Sequence, residues 1–107
     1  ATAGILAKAG VRVALMTDAP AVPIEHLPLC AGLAVRAGLP EEEAWRALTI
    51  NPASILGLAD RLGSIAPGKD ADLVLWDGDP FDTRTWPRMV WIDGELVRDR
   101  RGPEPWR

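Results

Sequence analysis

The chain has 107 residues, 48% of them hydrophobic and 25% charged, with 15 acidic residues against 12 basic ones for a net charge of −3. That length suits one small domain and falls far short of the roughly 250 residues of a complete (β/α)8 barrel. Ordinary apolar content with mixed charge excludes a disordered chain, and mild acidity without clustered Lys and Arg argues against a nucleic-acid partner.

Residues 1–9 place Ile5, Leu6 and Ala9 at helical spacing, with Gly10 as the stop. Val11-Arg12-Val13-Ala14-Leu15-Met16 is almost continuously apolar, as a strand buried on both faces of a parallel sheet would be. It ends at Thr17-Asp18, and Pro20 and Pro23 mark a loop. From Ile24 to Ala37 the helical period returns, with Leu29, Cys30, Leu33, Ala34 and Ala37 on one face and Gly38 ending it. The helix, strand, loop, helix order is one slice of an α/β fold.

Leu39-Pro40-Glu41-Glu42-Glu43 opens a third helix, its carboxylates complementing the positive end of the helix dipole. Ala44, Trp45, Leu48 and Thr49 are its expected inner side. Asn51-Pro52 reads as an N-cap followed by Pro at the first helical position. The short helix it starts carries Ile55 and Leu56 and stops at Gly57, and residues 60–63 form a turn. The pattern then turns to short β. Residues 64–66 are extended, Pro67-Gly68 is a turn, and residues 71–76 form a strand with Ala71, Leu73 and Leu75 on one side. Residues 77–80 form a loop. Residues 88–92 and 95–97 are strands joined by Asp93-Gly94, the two-residue hairpin signature. The tail from Asp99 is charged and Pro-rich.

No run of about 20 apolar residues exists, so no membrane partner is expected. Residues 1–6 lack the basic and apolar regions of a signal peptide. The start without Met, inside an expected helix, reads as a fragment or a processed product. The strand at 11–16 agrees, because it needs covered faces and paired edges that no second strand of its kind here supplies. Cys30 is the single cysteine, a small buried hydrophobe by its neighbours. It allows no intrachain disulfide and favours a reducing, cytoplasmic setting.

Asp18 leads the candidates for chemistry, since α/β folds place catalytic groups at the C-terminal tips of buried strands. His26, the sole histidine, reads as a surface or capping residue. One His and one Cys cannot build a three-ligand zinc site without several carboxylates. Ser54 and Ser64, the only serines, sit in no nucleophile elbow. Asp60, Asp70, Asp72, Asp77, Asp79 and Asp82 lie in turns and at strand edges, where Asp hydrogen-bonds locally, and read as structural. Trp76 and Trp91 read as packing residues.

The order of motifs carries a resemblance. A-G-V-R-V-A-L-M-T-D-A-P is followed by N-P-A-S-I-L-G-L, then by D-R-L-G-S-I-A-P-G-K-D-A-D-L-V-L-W-D-G-D-P-F-D and V-W-I-D-G-E-L-V. Across residues 4–98 this resembles the C-terminal portion of metal-dependent amidohydrolases, closest to the imidazolonepropionase-like group. The resemblance implies an α/β fold fragment. Residues 1–62 would be the terminal part of a (β/α)8 barrel, with 11–18 as its eighth strand. Residues 63–98 would be C-terminal strands of a small β-sandwich, and 99–107 a tail.

The resemblance also implies hydrolysis of amide or cyclic amide C–N bonds in a small-molecule substrate by metal-activated water. Of the family's ligands only the eighth-strand aspartate maps here, onto Asp18, as metal contact and proton shuttle. Close members often carry His after T-D, where this chain has Ala19. The parent enzyme would use a divalent metal, zinc foremost, with none held tightly by these 107 residues, which would be inactive alone. Self-association, or barrel strands from elsewhere, would cover residues 11–18. The alternatives are a non-catalytic module that pairs with another chain, and a deaminase-, deacetylase- or dihydroorotase-like member of the superfamily.

Overall fold

The structure is a computed structural model that describes residues 2–19, 21, 24–82 and 84–100. It divides into two compact units, residues 1–64 and 65–107. The expected loop prolines Pro20 and Pro23 and the tail beyond Arg100 lie outside the described residues.

The first unit is helical. α1 (Thr2–Lys8) ends on a lysine, the charge that suits a helix C-terminus. Its buried residue is Gly4, while Ile5 and Leu6, placed at helical spacing by the sequence, are exposed. A Cβ on Gly4 would lie 3.0 Å from the Gly38 carbonyl carbon and oxygen, so backbone meets backbone there. A 3-10 turn (Ile24–His26) leads into α2 (Leu27–Arg36), so the expected helix over 24–37 is present with a tighter first turn. The buried residue of α2 is Ala31. Leu29 and Leu33 of the apolar face are exposed, and Cys30, expected buried, is half-buried. The helix packs against α3 (Glu41–Leu48) with Ala31 buried, and leaves Leu29 and Leu33 outside.

The same correction applies to α3. Ala44 and Ala47 are fully buried, while Trp45 and Thr49 are exposed. α4 (Ile50–Ile55) contributes Ala53, and Leu39 is the large side chain at the centre, 2% exposed. Alanines at the contacts let short helices approach closely, and larger apolar residues such as Ile55 and Leu56 are exposed in this chain. The cap of α4 also differs from expectation. Thr49 holds the N-cap position and Asn51 lies within the first turn. The Thr49 hydroxyl donates back to the Trp45 carbonyl at 2.6 Å rather than capping α4.

Residues 11–17 do not form the expected strand. Among the described residues they join no ladder, because the unit supplies no strand to pair with. Nor are both faces covered. Val13 and Leu15 are half-buried and Thr17 is buried, while Arg12, Ala14 and Met16 are exposed. That period-two alternation is the signature of strand-like side-chain placement with one face covered. The Leu15 amide donates to the Ala47 carbonyl of α3 at 3.1 Å, and the Asn51 side-chain amide of α4 donates to the Val13 carbonyl at 2.8 Å.

The second unit holds a three-stranded antiparallel sheet in the order β1 (Leu73–Trp76), β2 (Pro87–Ile92), β3 (Glu95–Asp99). Leu73 pairs with Trp91, and Val90 with Arg98. Asp93 and Gly94 both take positive φ, +52° and +79°, the backbone of the type I′ turn expected for this dipeptide. Residues just before β1 brace that turn: the Ala71 carbonyl accepts the Gly94 amide at 2.9 Å, and the Asp72 carboxylate accepts the Asp93 amide at 2.8 Å. Residues 64–66 are not part of the sheet. β1 does not show one buried side: Leu73 and Trp76 are half-buried, Val74 and Leu75 exposed. β3 continues to Asp99, where the sequence pattern ended the strand at Val97.

Candidate functional site

Asp18 follows directly on the residues that the helices hold. Thr17 before it is buried and Asp18 is exposed. The backbone at Asp18 has φ +55°, a left-handed conformation, and its carbonyl accepts the Ala21 amide at 2.9 Å. Asp and Asn enter this region more readily than other non-glycine residues, yet it is uncommon. Asp93, the other described non-glycine residue with positive φ, has the hairpin turn to account for it. At Asp18 the left-handed residue ends the alternating segment, where the chain leaves the helices and the carboxylate reaches solvent. Such conformations persist where the surroundings over-determine them, and functional sites are a common place for them.

Other candidates take up simpler roles. His26 sits at the N-cap position of α2, is exposed, and makes no side-chain capping bond. The aspartates of the second half serve the backbone. Asp79 accepts the Phe81 amide, Asp77 the Trp86 amide, and Asp82 the Arg84 amide, each at 2.9 Å. Asp82 also holds the Arg84 guanidinium, at 3.1 Å and 2.9 Å. Hydrogen bonds from that side chain, then from the Arg84 backbone, bring the Asp82 carboxyl down to about 2. Trp76 and Trp91 are half-buried in the sheet. Among the described residues, no group of three or more His, Cys, Asp or Glu side chains could hold a metal ion.

Two residues that the sequence reading gave only local roles matter to this region. Asn51, read as a cap, ties α4 to the segment that carries Asp18, across 38 positions of sequence. Gly63, read as a turn residue, lies against the start of α4: a Cβ there would sit 2.9 Å from the Ile50 Cα. Asn before Pro carries a local signal for a cap and none for a tertiary bond, and only the packed helix shows why position 63 must be bare.

A profile of the amidohydrolase family matches residues 1–97. The chain belongs to the amidohydrolase family. Over 86 residues it is 43% identical to an imidazolonepropionase of Shouchella clausii, covering 78% of this chain and 19% of that protein. Among solved structures it is similar to an amidohydrolase from Thermotoga maritima, with TM-score 0.89 and 52% identity over 92% of this chain and 26% of that one. It also resembles an adenosine deaminase from Xanthomonas campestris with bound zinc, with TM-score 0.69, 27% identity, and coverage of 90% and 28%. The chain spans from 9% to about a quarter of the length of the curated relatives it matches, so it corresponds to one part of an amidohydrolase. No helix among the described residues is long and apolar enough to cross a membrane.

Proposed function

We propose that this chain is the C-terminal portion of an amidohydrolase that hydrolyses an amide or cyclic amide C–N bond in a small molecule, with Asp18 as its catalytic carboxylate. Residues 1–62 belong to the end of a (β/α)8 barrel, with 11–18 as its last strand. Residues 63–98 are C-terminal strands of a β-sandwich and 99–107 a tail. The observation that carries this reading is the placement of Asp18. It is exposed, left-handed in backbone, and follows a segment with one face covered by helices and the other open. Barrel strands present their outer face to helices and their catalytic groups at the C-terminal tip. The single cysteine, Cys30, supports a cytoplasmic setting.

The intact enzyme uses a divalent metal, for which zinc is supported by the zinc bound in the Xanthomonas campestris deaminase. The described residues do not themselves fit a metal centre, since Asp18 joins no second or third ligand among them. What Asp18 contributes is proton transfer. A carboxylate at this tip takes a proton from the water that attacks the scissile carbon and returns it to the leaving nitrogen. The likeness to an adenosine deaminase favours, as a second reading, a deaminase-type member that breaks a C–N bond to an exocyclic nitrogen.

The test is Asp18→Asn in the intact gene product, assayed for hydrolysis of cyclic amides with zinc supplied. The substitution keeps the shape and removes the proton acceptor. A fall in kcat of about 10²–10⁴-fold is expected, the usual size of a general acid–base contribution. Undiminished turnover rejects the role.

A further inference from the structure

We propose that Asp77 is a site of spontaneous backbone modification. The Asp77-Gly78 peptide isomerises to isoaspartate through a succinimide, while the fold shields the chain's other Asp-Gly pair, Asp93-Gly94, from the same reaction.

The reaction needs no reagent but water. The Gly78 nitrogen attacks Asp77 Cγ in the acid form of the carboxyl. An N–Cγ bond forms as the Cγ–Oδ2 bond breaks, and Oδ2 leaves as water with its own proton and the one from the Gly78 nitrogen. A second water then opens the ring. Attack at Cγ restores aspartate. Attack at the Asp77 carbonyl carbon leaves the main chain running through Cβ and Cγ, with a free α-carboxylate. Glycine after the aspartate favours closure, because it has no side chain to crowd the attacking nitrogen or to restrict the backbone.

The sequence holds this dipeptide twice and all four residues are exposed, so neither composition nor access to water separates the pairs. Hydrogen bonding does. At Asp93-Gly94 the nucleophile is occupied, since the Gly94 amide donates to the Ala71 carbonyl at 2.9 Å. The Asp93 amide is tied to the Asp72 carboxylate at 2.8 Å. Asp93 also has φ +52°, in the left-handed region, where ψ lies near about +47°. Ring closure needs the next nitrogen brought over Cβ, a rotation of more than a right angle from there. That rotation would undo the turn and both bonds.

At Asp77-Gly78 the bonds lie elsewhere. Among the described residues the Gly78 amide donates to no acceptor. The Asp77 amide donates to the Trp86 carbonyl at 3.2 Å, and Asp77 Oδ1 accepts the Trp86 amide at 2.9 Å. The second of these acts on the electrophile. It polarises the Cγ–Oδ1 bond and stabilises the negative charge that gathers on Oδ1 as the nitrogen adds, as an oxyanion-hole donor does. Oδ2 is then the oxygen that departs. Oδ1 stays a carbonyl oxygen on Cγ in the succinimide and in isoaspartate, so the Trp86 amide keeps its acceptor throughout. The reacting carboxyl is thus held by the one oxygen that the reaction retains.

The test follows both pairs in the intact gene product, kept folded in mildly acidic buffer at physiological temperature and, in parallel, unfolded in urea. Trypsin separates the pairs into peptides 70–84 and 89–98. Isoaspartate in each is quantified by chromatography and located by electron-transfer fragmentation. In the folded protein it is expected to form at residue 77 at least about tenfold faster than at 93, because closure at 93 must first break two hydrogen bonds and a turn. In urea the two rates are expected to agree within about threefold. Equal rates in the folded protein, a faster rate at 93, or no isoaspartate at 77 overturns the proposal. A ratio as large in urea as in the folded protein also overturns it, since the difference would then come from flanking residues and not from the fold. Asp72→Ala removes one bond of the shield. It is expected to raise the rate at 93 by about threefold or more and to leave the rate at 77 unchanged. An unmoved rate at 93 overturns the shielding by these bonds, and should the variant fail to fold, the wild-type comparison decides alone.

Discussion

Gly63 lies so close to Ala53 that a Cβ on the glycine would sit 2.8 Å from the alanine Cβ. The same atom would meet the Ile50 Cα at 2.9 Å and the Thr49 carbonyl oxygen at 3.0 Å, and the backbone there has φ +93°. Two penalties therefore coincide, a collision with helix backbone that cannot swing aside and a conformation that L side chains rarely adopt. Gly63→Ala is expected to destabilise the helical unit by about 2–4 kcal/mol, read from urea melts by far-ultraviolet circular dichroism. Gly94 is the matching control. It also has positive φ, but its Cβ would meet nothing closer than Ala71 at 4.0 Å. Gly94→Ala is expected to cost only about 1 kcal/mol, through the backbone alone. Equal costs at the two positions would show that contact with α4 is not what keeps position 63 bare.

The contrast between those glycines marks what could be read in the sequence. The Asp93-Gly94 hairpin was legible because the turn's backbone demand is met by the two residues themselves. The helices were legible by period and by their stops. Which face each helix buries in this chain was not, since the contacts among these helices are made at Ala31, Ala44, Ala47 and Ala53 and leave Leu29, Leu33 and Trp45 exposed. Residues 11–16 read as a strand buried on both faces, and the apolar run has instead one covered face and no ladder partner among the described residues. Hydrophobic content states what a segment can bury, and only the neighbours decide how much it does. Asp18 was singled out by its position after an apolar run, and the structure places it, exposed, directly after the segment that the helices hold. The bond from Asn51 to Val13 was not legible, since 38 residues separate partners whose local signals concern caps and strands.

Asp82 offers a test by acid titration. Its carboxyl is held at about 2 against an ordinary 3.8, chiefly by the hydrogen bond from the Arg84 side chain, and then by the Arg84 backbone amide. A group depressed on folding adds stability that is present above its unfolded value and is lost as the pH falls through the folded one. The contribution of Asp82 should thus be complete above about 4 and fade toward pH 2. The pair is exposed, so the effect on global stability is small and salt-sensitive, and the direct measurement is carboxyl chemical shift against pH. Arg84→Ala is expected to move the Asp82 midpoint up toward 3.8, while the backbone bond keeps it from returning fully. An unmoved midpoint would mean that the guanidinium is not the dominant influence.

Met16 tests the proposed barrel through stability rather than catalysis. Its side chain is 74% exposed, on the same open face as Ala14. If residues 11–18 are the last strand of a barrel in the intact protein, that face turns inward and Met16 becomes a packed core residue. One substitution should then have two costs. Met16→Ser in the 107-residue chain is expected to change stability by less than about 0.5 kcal/mol, as exposed positions do. In the intact gene product it is expected to cost about 2–4 kcal/mol, from lost apolar burial and a hydroxyl placed in the core. Val13 supplies the reverse control, because its half-buried side chain already lies on the face the helices cover. Val13→Ser should therefore be destabilising at both lengths. A Met16→Ser cost that stays negligible in the intact protein would mean that the open face remains open there, and the barrel reading of residues 11–18 would fall.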